Sequence, residues 1–152
     1  MKLMDFIVKD AVIVNLQGKE KKDVLNEMVD ALVKTKKISG KDKVVKILMD
    51  REELGSTGIG SGVAIPHGKT DEVDNVVISL ASSKQGIEFE SLDGEPVYLV
   101  FLLLAPVEST GVHLKALAKI SRILKDKHFR QSLRDAKTAE EALKILKEED
   151  EY

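Results

Sequence analysis

The sequence predicts one layered α/β domain, and three observations predict it. Residues 97–105, VYLVFLLLA, are apolar at nearly every position, so both faces of that strand must be covered, as in a sheet sandwiched by helices. Amphipathic helical spacing recurs on either side of it. The length, 152 residues with 43% apolar and 33% charged, suits one aliphatic core and leaves no room for two.

The elements follow in order. After apolar clusters at Phe6, Ile7, Val8 and at Val12, Ile13, Val14, residues 21–34 place Val24, Leu25, Met28, Val29, Leu32 and Val33 on one helical face. A second helix follows Ser39-Gly40, with Val44, Val45, Ile47, Leu48 and Leu54 inward and Gly55 marking its end. Residues 55–62, GSTGIGSG, hold too much glycine for a helix and read as a loop with freely placed amides. The VAI before Pro66 is a short extended piece, because the residue preceding proline is kept out of the helical region. Residues 75–81 and 96–105 read as strands, with Asp93-Gly94 a turn signal between them. Ser109 or Thr110 caps the next helix, whose inward face is Val112, Leu114, Leu117, Ala118, Ile120, Ile123 and Leu124. Phe129 and Leu133 mark a short helix. The last helix opens with a Thr138/Glu141 capping box and turns Ala142, Leu143 and Leu146 inward. The expected domain is residues 1–147, with 148–152, EEDEY, a frayed acidic tail.

Composition narrows the function. A formal net charge of −2, with no basic stripe among aromatics, argues against a nucleic-acid partner. The chain has no cysteine, which removes disulfides, thiolate catalysis and Cys-ligated zinc and accords with a reducing compartment. The longest apolar run falls well short of the roughly 20 residues of a membrane-spanning helix. The first ten residues include Asp5 and lack a signal-peptide pattern, so the expectation is a cytoplasmic protein without membrane insertion.

The stretch GSGVAIPHGKT, residues 60–70, raises the question of chemistry. Its Gly-Lys-Thr ending resembles a phosphate-binding P-loop, but that motif needs glycine at position 63, where Val63 stands, and a following helix, where a strand follows. GSTGIGSG follows a helix and not a strand, so it fails as a dinucleotide fingerprint. Ser61 lacks the strand and spacing of a nucleophile elbow. His67 and His113 have no third ligand at a zinc-site spacing, so no metal is expected, and His128 lies among charged residues and reads as surface.

His67 is different, because Pro66 restrains the backbone on one side while Gly68 permits close approach on the other. On its own it reads either as a turn histidine or as an oriented imidazole. Arg51, before the glycine loop, and His113, in the first turn of the helix after the central strand, could complete an anion site with free amides. Their bland readings are a solvated helix end and a polar residue near a cap. Lys69 reads as an outer charge near an incoming phosphoprotein or as a solvated lysine.

At these residues the sequence resembles the Enzyme IIA domains of the bacterial sugar phosphotransferase system, in the fructose, mannitol and nitrogen-regulatory class. REELGSTGIGSGVAIPHGK, residues 51–69, carries the resemblance, which continues through GIEFESLDGEPVYLVFLLLAP and HLKALAKISRIL. The resemblance implies a mixed, mostly parallel sheet flanked by helices on both faces. It implies that His67 accepts a phosphoryl group from the histidine phosphocarrier protein through Nε2 and passes it to a cysteine of an Enzyme IIB component. Arg51 and His113 then act as donors to the phosphoryl oxygens, with Ser56 and Thr57 as helpers in the loop. No nucleotide, metal or other cofactor is needed, because the donor is itself a phosphohistidine. Two protein partners require a shallow site, with Ile59, Val63 and Val112 as its apolar rim; their alternative is core. The regulatory members of the class offer a second reading, in which phosphorylation of His67 controls binding to regulatory proteins.

Overall fold

The structure is a computed structural model that describes residues 1–151. Two 3₁₀ turns, Leu3–Asp5 and Lys9–Ala11, precede α1 (Lys21–Lys34) and α2 (Lys41–Glu53). Three short strands follow, β1 (Gly58–Gly60), β2 (Val63–Ala64) and β3 (His67–Lys69), and then the long β4 (Val77–Ile87) and β5 (Val97–Ala105). The chain ends in α3 (Val112–Ile123), α4 (Lys127–Asp135) and α5 (Ala139–Asp150).

β5 is the axis of the sheet. It pairs in parallel with β2 and β3 along one edge and antiparallel with β4 along the other, while β1 hairpins onto β2. Parallel bridges from Ile7, Ile13 and Glu20 extend the β4 side, so the sheet is mixed and mostly parallel. The alternation of β5 divides the interior in two. Val100, Leu102 and Leu104 pack with α1 and α2, whereas Leu99, Phe101, Leu103 and Ala105 pack with α3, α4 and α5. A strand buried on both faces has no use for polar residues, which is why its sequence is a continuous apolar run.

Several expectations change in three dimensions. The glycine-rich segment is partly a hairpin: Ser61 and Gly62 join β1 to β2 with φ of 57° and 77°, the left-handed values that a tight two-residue hairpin requires. Leu54 is 85% exposed, because α2 ends at Glu53 and the buried stripe Val44, Leu48 continues four residues on to Glu52. In α3 the inward stripe is Ala116, Ile120 and Ile123, so Leu114 and Ala118 lie off it and are exposed, and Val112, the first residue of the helix, is exposed too. The N-cap of α3 is Gly111, not Ser109 or Thr110, and no side chain caps it. Half of the capping box on α5 forms: Thr138 accepts from the Glu141 amide, but the Glu141 carboxylate takes the Lys137 amide.

The acidic end is not frayed. α5 runs to Asp150, whose buried carboxylate accepts from the amides of Leu3 (2.9 Å) and Met4 (3.0 Å) and pairs with Lys119 at 2.6 Å. Tyr152 lies outside the described residues.

Candidate functional site

Strand parity places His67. Val63 faces the α3 side of the sheet with Leu99, and two-residue alternation carries that side through Ile65 to His67, opposite Leu103. Gly68 therefore faces α2, and a Cβ there would stand 2.7 Å from Ile47 Cγ2. Its φ is not in the left-handed region, so lack of space, and not conformational freedom, requires this glycine. Pro66 contributes differently: it is buried, and its carbonyl accepts from the Leu103 amide at 2.9 Å, fixing β3 against β5.

The imidazole of His67 is half-buried, and its Nδ1 lies 2.8 Å from the Ile65 carbonyl. A carbonyl only accepts, so Nδ1 carries the proton and Nε2 carries the lone pair. The acceptor for Nδ1 could not be named from sequence, since a bond to the backbone two residues back leaves no mark in residue type.

His113 continues the inward stripe of α3 one turn before Ala116, which turns it toward the sheet face that carries His67. Its Nδ1 is 3.1 Å from the Ser109 hydroxyl. Burial lowers the pKa of His113 below its ordinary 6.5, and the charges of Lys69 and His67 lower it further. The imidazole is therefore neutral at pH 7, beside a second imidazole and an ammonium group that together favour a negative guest.

Arg51 stands in the last turn of α2, and its guanidinium donates to the Gly55 carbonyl at 2.8 Å. Its other N–H groups have no protein partner among the described residues. The two loop hydroxyls are committed elsewhere. Ser56 donates to the Phe89 carbonyl at 2.7 Å and accepts from the Gly58 amide, while Thr57 is buried and donates to the Glu52 carboxylate. Neither hydroxyl is free, so the helper role expected of this loop would fall to its amides. Of the expected rim, Ile59 (48%) and Val112 (46%) are exposed, but Val63 is 1% exposed and belongs to the core under β5. Leu54 and Leu114, assigned inward from sequence, are exposed as well. No group of three or more His, Asp or Glu side chains capable of holding a metal occurs among the described residues.

The chain is thus an α/β domain that mounts one histidine on the short strand β3 and a second in the first turn of α3. Residues 5–149 match the family described as phosphoenolpyruvate-dependent sugar phosphotransferase system, EIIA 2, and the chain belongs to that family. It is 37% identical over 150 residues to the fructose-specific EIIABC component of Bacillus subtilis, covering 99% of this chain and 24% of that protein. It is 38% identical over 148 residues to a nitrogen regulatory protein of Bradyrhizobium diazoefficiens, covering 96% of this chain and 95% of that one. The crystal structure of nitrogen regulatory protein IIA-Ntr from Neisseria meningitidis superposes with a TM-score of 0.87 at 33% identity, over 95% of this chain and 98% of that one. The chain thus spans about a quarter of that fructose-specific relative and nearly all of these two regulatory ones. Among the described residues no helix is long and apolar enough to cross a membrane.

Proposed function

We propose that His67 is the phosphoryl-carrying residue, taking phosphate from the histidine phosphocarrier protein and delivering it to a cysteine of an Enzyme IIB component. The observation that carries this is the Nδ1 to Ile65 carbonyl distance of 2.8 Å, which leaves a lone pair on Nε2 at a half-exposed edge. In the forward step the Nε2 lone pair forms a new N–P bond as the donor's N–P bond breaks, and the electron pair of that bond returns to the donor imidazole. The positive charge that develops on the His67 ring is stabilised by Nδ1–H and the Ile65 carbonyl. In the second step a thiolate sulfur forms an S–P bond while the Nε2–P bond breaks. Charge on the equatorial oxygens needs positioned donors, and the unpartnered N–H groups of Arg51 and a neutral His113 fill that role. Ile59 and Val112, exposed at 48% and 46%, are the apolar side chains we assign to the rim that both protein partners would meet in transient contact.

Fructose-class sugar uptake is the destination we favour. The near end-to-end match to nitrogen regulatory proteins supports a second reading, in which the phosphorylation state of His67 selects regulatory partners. Incubation with phosphoenolpyruvate, the first enzyme of the system and the phosphocarrier protein tests the common part: wild type takes up label and His67→Ala, folded by circular dichroism, takes up none. Label on the alanine variant would remove the assignment. Subsequent transfer to sugar-class IIB domains separates the two readings, since a regulatory member passes its phosphate to none of them.

A further inference from the structure

Behind the site lies a buried ion pair with no part in the transfer chemistry. Lys21 opens α1 and Glu52 lies in the last turn of α2; their side chains are 10% and 1% exposed and meet at 3.2 Å. The Lys21 ammonium also sits 5.1 Å from the centre of the Phe89 ring. Isolated buried charges are costly, so a pair kept there must be held by further bonds. Glu52 has them: it accepts from the Thr57 amide at 3.0 Å and from the Thr57 hydroxyl. The Thr57 carbonyl accepts from the Ile65 amide at 3.1 Å, and the Ile65 carbonyl is the partner of His67 Nδ1. A continuous path of bonds thus runs from Lys21 through Glu52, Thr57 and Ile65 to the imidazole. Glu52 also adjoins Arg51, so the same carboxylate fixes the end of α2 from which the guanidinium projects.

We propose that the Lys21–Glu52 pair, acting through Thr57, is a positioning device that holds the His67 imidazole as its Nδ1–H tautomer and sets the loop against which Arg51 rests. The assignment of His67 as the phosphoryl acceptor is assumed only for the kinetic half of the test. Neither residue touches the phosphoryl group. Their effect is geometric, and a shift of His67 by a fraction of an ångström lowers the transfer rate without changing how the donor docks.

The test compares wild type with Glu52→Gln, Lys21→Met and Thr57→Val. Nitrogen NMR of the His67 ring reads the tautomer, and amide exchange reads the Ile65 bond. In the variants the Nδ1–H fraction falls, Ile65 exchanges faster, and kcat for phosphoryl uptake falls by about tenfold or more while KM for the phosphorylated donor changes by less than about twofold. Should the charge variants fail to fold, Thr57→Val, which removes only the hydroxyl link, gives the same signature at smaller amplitude. Folded variants with wild-type tautomer, Ile65 exchange and kcat would overturn the proposal, as would a Thr57→Val that alone folds and matches wild type. If wild type takes up no phosphate yet the tautomer shifts as expected, the functional reading falls and the positioning role stands.

Discussion

His113 shows how one residue can be neutral for a structural reason and useful for a chemical one. Burial, Lys69 and His67 all disfavour its protonation, so on the proposed reading it would meet an incoming phosphoryl group uncharged. A covalently bound phosphate on His67 would add negative charge beside it and favour the imidazolium. Proton NMR should therefore find His113 titrating below 6.5 in the free protein and at a higher pH once His67 is phosphorylated. Titration unchanged by phosphorylation would mean that the two rings do not share the anion.

At the scale of elements, α2 is fixed at both ends. Near its start, Glu72 on the loop after β3 accepts from the amides of Ser39 and Gly40, both 2.9 Å away, and from the Ser39 hydroxyl. It does for α2 what a capping side chain does, from 32 residues away in the chain. The Gly40 amide, then the Ser39 amide and hydroxyl, hold its pKa down at about 2 from an ordinary 4.5. A depressed carboxylate stabilises the fold above the unfolded pKa and loses that contribution as pH falls through the folded one. Glu72→Gln should thus lower Tm at pH 7, and its difference from wild type should shrink between about pH 4.5 and pH 2. An equal deficit at every pH would refute the cap. At the middle of α2, Ile47 rests on Gly68. Gly68→Ala should cost about 1–3 kcal/mol in denaturant unfolding, because helix and strand must separate to admit the methyl group. A neutral result would show that α2 can shift freely, and that the mount of His67 is softer than its contacts imply.

At the scale of the molecule, one clip joins both ends of the chain to the helix that carries His113. The Lys119 ammonium, in α3, reaches Asp150 and also donates to the carbonyls of Met1 (2.6 Å) and Asp150 (3.0 Å), while Asp150 holds the amides of Leu3 and Met4. Burial pushes the Asp150 pKa up, but the bond from Lys119 and those from the two amides outweigh it and leave the carboxyl below its usual value. Asp150→Ala, which strands a buried lysine and two amides, should cost about 3 kcal/mol at pH 7. Truncation after residue 147 should do at least as much. Unfolding midpoints within error of wild type would restore the frayed tail expected from sequence.

The sequence alone determined the helices, the central strand and the histidine proposed to carry the phosphoryl group. Periodicity in 21–34, the unbroken apolar run of 97–105 and the Pro-His-Gly segment are local properties, and a chain of this composition has few ways to bury them. Only the tertiary structure decided which polar residues are interior. Lys21 and Glu52 each continue a helix's buried stripe past its last apolar member, but helical phase alone does not tell a buried charge from one that reaches solvent. Residue type argued the other way, placing Leu54, Val112 and Leu114 inside. A side chain's burial follows where its helix points it and what lies opposite. The partners opposite, Thr57 for Glu52 and a backbone carbonyl for His67, become neighbours only when β2 and β3 align against β5.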